Sequence, residues 1–87
     1  MMKASIQLTG LQLARGYGLG SPYTQAMVDT TRALLDGGGS GEQERIPDMD
    51  VSRYSFAGPP ELVRPVIVAF MDFIHMVDED RHTPLSH

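Results

Sequence analysis

Residues 60–80 read PELVRPVIVAFMDFIHMVDED, and this stretch decides the fold. At about 3.6 residues per turn it predicts a helix from near Pro60 to about Asp80, with Pro65 close enough to the start to be tolerated. Six polar side chains fall within roughly 60° of one line along that helix, taking 100° per residue. They are Glu61, Arg64, Asp72, His75, Glu79 and His82. Nearly every other position is apolar, so the apolar arc is wider than a helix lying on a sheet needs.

Two explanations of this wide apolar arc compete. In the first, the helix is central, with the sheet below it and another helix beside it. In the second, part of the arc contacts another chain, because 87 residues offer little material to cover both flanks. We favour the second, with homodimerisation as the commonest form of such contact and a different protein partner equally compatible. The residues expected at this partner surface are Phe70, Met71, Asp72, Ile74, His75 and Glu79, together with the loop aromatic Tyr17.

Working outward, the segment before this helix predicts a strand, a loop and a second helix. Residues 51–56 are rich in β-forming side chains and predict a short strand. Residues 37–50, GGGSGEQERIPDMD, predict a flexible loop, and its first five residues look like a tether, either native or engineered. A helix is expected over 22–36, with Ser21 as its N-cap and Gly37 ending it.

Apolar and polar residues alternate over residues 4–14. If Thr9-Gly10 is a two-residue turn, Leu8 lies opposite Leu11 in a hairpin, and apolar side chains pair across the strands. A single strand with a bulge at Gly10 is the alternative.

These elements together predict one α+β domain over 1–87. A small antiparallel sheet of two or three strands packs against two helices in the order (β)βα-loop-βα. The residues from 83 onward are expected to fray.

Composition excludes several classes of function. The net charge of −4 falls entirely in residues 46–87, where seven acidic residues face three arginines. Nucleic-acid and anionic-membrane binding need clustered Lys and Arg, so neither is expected. The longest apolar stretch, 62–77, is interrupted by polar residues and is too short to span a membrane. The chain has no cysteine, which excludes disulfides and thiolate sites and favours a cytoplasmic protein.

The glycines before the first predicted helix suggest an alternative function. Gly16, Gly18 and Gly20, followed by Ser21, could bind an anion, because glycines expose backbone N–H groups and a helix N-terminus favours negative charge. The third glycine, however, comes one residue too early for a dinucleotide loop. A close-packed turn or a mobile connection explains the same residues without a ligand.

Metal and catalytic sites have weak support in the sequence. Asp72, His75, Glu79 and His82 are spaced three or four apart and could share an ion, but no established metal motif is present, and a solvated helix face explains them equally well. Ser, His and Asp occur without a nucleophile elbow or a suitably placed base. We therefore expect no metal, no cofactor and no enzymatic activity.

The functional prediction is a non-catalytic protein–protein interaction module. It would be a small acidic regulator or inhibitor that binds the surface of another protein, itself, or both, through the apolar arc of the 60–80 helix. The alternatives are a binder of a small anionic ligand or nucleotide at 16–20 and a structural homo-oligomer.

Overall fold

The computed structural model describes the backbone of residues 1–18 and 22–82 and the side chains of residues 1–16 and 22–78. Its elements are β1 (Met2–Thr9), α1 (Gly10–Gly18), α2 (Pro22–Asp36), β2 (Ser40–Ile46), β3 (Val51–Gly58) and α3 (Pro60–His82). The strands form one antiparallel sheet in the order β1-β3-β2. The expected α+β class with a small antiparallel sheet is confirmed, although the described residues form three helices instead of two.

The sheet has one face toward the helices and one open face. In the register, Ala4 on β1 and Gly41 on β2 both lie opposite Phe56 on the central strand. Because side chains alternate along a strand, these positions share the helix side with Leu8 and Tyr54. On β1 the alternation is plain: Lys3, Ser5, Gln7 and Thr9 are exposed, whereas Met2, Ala4, Ile6 and Leu8 are wholly or partly buried.

The helix α3 is the centre of the core. It packs against α1, α2, β1 and β3, and its buried side chains are Val63, Val66, Ala69, Phe70, Phe73 and Val77. The wide apolar arc is therefore covered within the chain, as the first of the two explanations required. On the side of α3 opposite the apolar arc, the exposed residues include Glu61, Arg64, Asp72 and His75. Two apolar residues lie among them, Val68 and Met71, which are 56% and 58% exposed.

Residues 10–14 are helical, so both the expected hairpin and the expected bulged strand are wrong. The start of α1 is a capping box. The Gln12 backbone N–H donates to Thr9 Oγ1 (3.0 Å), and the Thr9 backbone N–H donates to Gln12 Oε1 (2.9 Å). The sequence signal was Thr-Gly-Leu-Gln, an N-cap Thr with Gln three residues later, which the apolar alternation obscured. The turn over Thr9-Gly10 is instead the start of a helix.

The expected glycine loop at 16–20 is also different, because α1 continues to Gly18. Gly16 is buried, and a Cβ there would overlap the ring of Phe73 on α3. The missing side chain lets α1 and α3 approach closely, so Gly16 is a packing residue. Gly20 and Ser21, including the N-cap expected at Ser21, lie outside the described residues.

The segment 37–50, expected to be a loop, contains strand β2. The helix α2 ends at Asp36, as predicted, in a Schellman motif: Gly39 N–H donates to Leu34 O (2.9 Å) and Gly38 N–H to Leu35 O (3.3 Å). Gly38 has a φ of 91°, and a Cβ on Gly39 would overlap Leu34 and lie 2.7 Å from Ala57 O. These two glycines therefore meet structural requirements that a mere tether would not have.

Strand β2 was missed because its sequence is polar. Glu42, Gln43, Glu44 and Arg45 are all exposed, so burial gives no alternation to read. The turn that joins it to β3 has Met49 N–H donating to Ile46 O (3.3 Å) and Asp50 at φ 49°. Four-residue hairpins built around such a turn are common. The expected fraying from residue 83 lies outside the described residues.

We predict that Thr9→Ala lowers the free energy of unfolding by about 1 kcal/mol, because it removes one half of the capping box. Thr9→Ser keeps the hydroxyl and serves as the matched control. Urea denaturation followed by circular dichroism measures both. Equal stability of the two variants would contradict the capping role.

We predict that Gly16→Ala destabilises the protein by about 1–3 kcal/mol, because overpacking against a buried ring outweighs the better helix propensity of Ala. In a Phe73→Leu background the ring is gone, and the same change should be neutral or stabilising. A double-mutant cycle by urea denaturation measures this coupling. Additive effects would show that Gly16 is not required by contact with Phe73.

Candidate binding groove

A groove of about 450 Å³ lies between α2 and the helix side of the sheet. Its volume is within the range of pockets that hold small ligands or side chains of a partner. The groove is a consequence of the packing order, because α2 packs mainly on α3 and leaves the β2 side of the sheet only partly covered. It is open to solvent along the edge formed by β2.

The floor of the groove is aromatic and apolar. The Phe70 ring from α3 lies 5.2 Å from the Tyr54 ring and 5.3 Å from the Phe56 ring, centroid to centroid, in tilted arrangements. Leu8 and Leu13 complete the floor. Tilted packing of this kind is a favourable arrangement of aromatic rings, and it holds the three rings together at the groove floor.

The wall on the helix side comes from one face of α2. Met27 and Leu34 are buried, and Met27 also reaches the groove. Their neighbours Val28 and Leu35, also seven residues apart, line the groove and are 45% and 49% exposed. Seven residues make two helical turns, so each pair lies on one line. The helix α2 therefore has one apolar line in the core and a second in the groove.

The rim of the groove is polar. Arg32 and Asp36 lie on the α2 side, and Glu42 and Gln43 lie on the β2 side. Arg32 and Asp36 carry opposite charges, and Glu42 adds a carboxylate on the edge strand beside the rim. An apolar floor with a few polar groups at the rim resembles the general build of a binding site.

Strand β2 forms an open edge beside the groove. Among residues 1–18 and 22–82, it pairs only with β3. Gly41 lies opposite Phe56, and a Cβ on Gly41 would lie 3.2 Å from Phe56 Cδ1 and 4.0 Å from Leu35 Cδ2. The missing side chain therefore lets this part of β2 lie close to the Phe56 ring of the groove floor.

The residues predicted as a partner surface are not brought together as expected. Phe70 is buried and reaches solvent only as part of the groove floor, and Ile74 is partly buried against the core. The other described members, Met71, Asp72 and His75, are exposed on α3. None of these three lines the groove. The side chains of Tyr17 and Glu79 lie outside the described ones.

The two alternative sites also change. In the predicted anion site, Gly16 packs against the Phe73 ring, and Gly18 is the last residue of α1 instead of part of a loop. Within the described part of the chain, no group of three or more His, Asp or Glu side chains is placed to hold a metal ion. The side chains of Glu79 and His82, which the metal hypothesis required, are not among those described.

Comparisons with known proteins give no family for this chain: no family model, no curated protein and no solved structure matches it. Among the described helices, none is sufficiently long and apolar to cross a membrane. The function must therefore be argued from the groove itself.

The groove was missed by sequence reasoning, although one signal for it was present. In α2 the apolar residues come in adjacent pairs, Met27-Val28 and Leu34-Leu35. One line of apolar residues suffices to attach a helix to a core, so the second line was unexplained surface.

We predict that Leu35→Gln and Val28→Thr change the free energy of unfolding by no more than about 0.5 kcal/mol, because both side chains are half exposed. Phe70→Ala, in contrast, should cost about 3–5 kcal/mol, because it removes a buried ring from the core. Urea denaturation measures all three. A large loss with Leu35→Gln would show that the wall belongs to the core.

Proposed function

We propose that this protein is a non-catalytic protein-binding module that takes a segment of another protein into the groove between α2 and β2. The observation that carries the proposal is the apolar wall of Val28 and Leu35, held open above an aromatic floor. Folding leaves these side chains exposed, and covering them with apolar side chains of a partner would be favourable.

Charge indicates the kind of partner. Asp36 at the rim, Glu42 and Glu44 on the adjacent edge strand, and the net charge of −4 on the whole chain favour a segment with apolar side chains flanked by Lys or Arg. Opposite charges at the rim of an interface mainly raise the association rate and select among partners. A small acidic protein that occupies such a segment would act as a regulator or inhibitor of the protein that carries it.

A non-catalytic role agrees with the chemistry of the groove lining. Among the described residues, those that line it include no histidine and no serine. Its polar groups are Thr31, Arg32, Asp36, Glu42 and Gln43, which lie around apolar side chains. This lining suits recognition of side chains. A cytoplasmic location, expected from the lack of cysteine, is part of the proposal.

The test is selection of binders from a displayed library of random twelve-residue peptides on the immobilised full-length chain. We expect selected peptides to lose at least tenfold in affinity with Leu35→Glu and to be unaffected by Met71→Glu. The two variants are matched, because each puts a carboxylate beside an aspartate at a half-exposed helix position. Fluorescence anisotropy measures the dissociation constants.

Loss of binding with Met71→Glu alone would overturn the groove and return the partner surface to α3. Absence of selectable peptides would also contradict the proposal. Light scattering behind a sizing column tests the homodimer expected from the sequence. A dimer that Leu35→Glu dissociates would mean that a second copy occupies the groove.

A further inference from the structure

We infer that the partner segment binds as an extended strand added to the free edge of β2, with apolar residues on one face and basic residues on the other. This inference rests on the proposed function and specifies the conformation and side-chain pattern of the occupant. Addition of a strand to an open sheet edge supplies main-chain hydrogen bonds, and pockets for alternate side chains supply specificity.

The edge of β2 has the geometry to pair with a further strand. Strand β2 has seven residues and one partner strand among the described residues, so the backbone groups along its other side are available for pairing. A new strand would lie about 4.8 Å away. At that distance, its side chains on the helix side lie beside Gly41 and Gln43 at the mouth of the groove.

The side chains of β2 alternate between the two faces of the sheet. Glu42 and Glu44 lie opposite Ser55 and Arg53 on β3 and therefore face the open side of the sheet. Gly41 lies opposite Phe56, on the groove side. A strand added here would have one set of alternate residues beside the two carboxylates and the other set on the groove side, where Gly41 lies next to Phe56 and is followed by Gln43 and Arg45. That requirement is a period of two between basic and apolar residues.

Like charges exclude a second copy of β2 as the added strand. If two β2 strands paired antiparallel about Gln43, Glu42 of each copy would lie opposite Glu44 of the other. A shift of two residues either way places Glu42 opposite Glu42 or Glu44 opposite Glu44. Like charges directly opposite are destabilising, and charged edge strands commonly prevent self-association in this way. The same carboxylates favour a basic foreign strand.

Glu42 and Glu44 differ in how much each can contribute to recognition of a basic residue. Glu44 Oε1 accepts a hydrogen bond from Arg53 Nη1 (3.2 Å) and is partly neutralised by it. Glu42 forms no salt bridge with the described residues. We therefore expect Glu42 to contribute more to recognition of a basic residue than Glu44.

The test uses a fluorescein-labelled ten-residue peptide of alternating Val and Lys and the full-length protein. A control peptide of the same composition, with Val and Lys grouped in pairs, lacks the period of two. We expect the grouped peptide to bind at least tenfold more weakly. Glu42→Lys should weaken binding of the alternating peptide by roughly two- to tenfold. Glu61→Lys, the same charge change at an exposed position on α3, should have little effect.

Main-chain pairing is tested by N-methylation of the alternating peptide. A strand presents the N–H groups of alternate residues to each edge. Methylation of one alternate set should therefore abolish binding, while methylation of the other set should be tolerated. A peptide of alternating Val and Glu should bind the Glu42→Lys variant better than the unchanged protein.

Equal effects of Glu42→Lys and Glu61→Lys, or equal binding of the two N-methylated peptides, would overturn strand addition. If the library-selected peptides still depend on Leu35 in that case, the groove function stands and only the strand inference fails. If neither class of peptide depends on Leu35, both fail.

Discussion

The contact between Phe73 and Gly16 is the constraint on which the arrangement of helices depends. The Phe73 side chain is fully buried, and the missing side chain of Gly16 lets α1 lie directly against it. With α1 in this place, α3 is covered by two helices and two strands. A domain of 87 residues can therefore bury a helix that is apolar around most of its circumference. The wide apolar arc needs no second chain to cover it.

The groove also results from the small number of elements in this domain. Leu34 is fully buried where α2 ends, against Gly39 and Gly58, so that end of the helix is fixed close to the sheet. Because α2 packs mainly on α3, no element among the described residues covers the sheet beside β2. Exposed apolar side chains therefore lie on α2, at Val28 and Leu35, as well as on α3, at Val68 and Met71. The partner surface predicted on α3 stays a prediction, and the groove beside α2 is a second candidate.

The sequence was sufficient for the fold class, for α2, α3 and β3, and for the solvent-exposed polar line on α3. These elements have long periodic patterns and clear ends, such as Gly37 after α2. It was insufficient for α1, because Leu11 and Leu13 are two residues apart, as Ile6 and Leu8 are, and this spacing fits a second strand after a turn as well as it fits the start of a helix. It was insufficient for β2, whose exposed charged residues give no burial pattern. The groove depends on how α2 sits over the sheet, which is a tertiary relation that no local pattern encodes.

The most direct test of the groove as the binding surface is nuclear magnetic resonance titration of the ¹⁵N-labelled protein with a library-selected peptide. The account predicts the largest amide shift changes in residues 27–36 of α2 and 40–46 of β2, with the outer side of α3 unchanged. Changes centred on Val68 and Met71, with α2 and β2 unaffected, would contradict it and place the partner on the exposed side of α3.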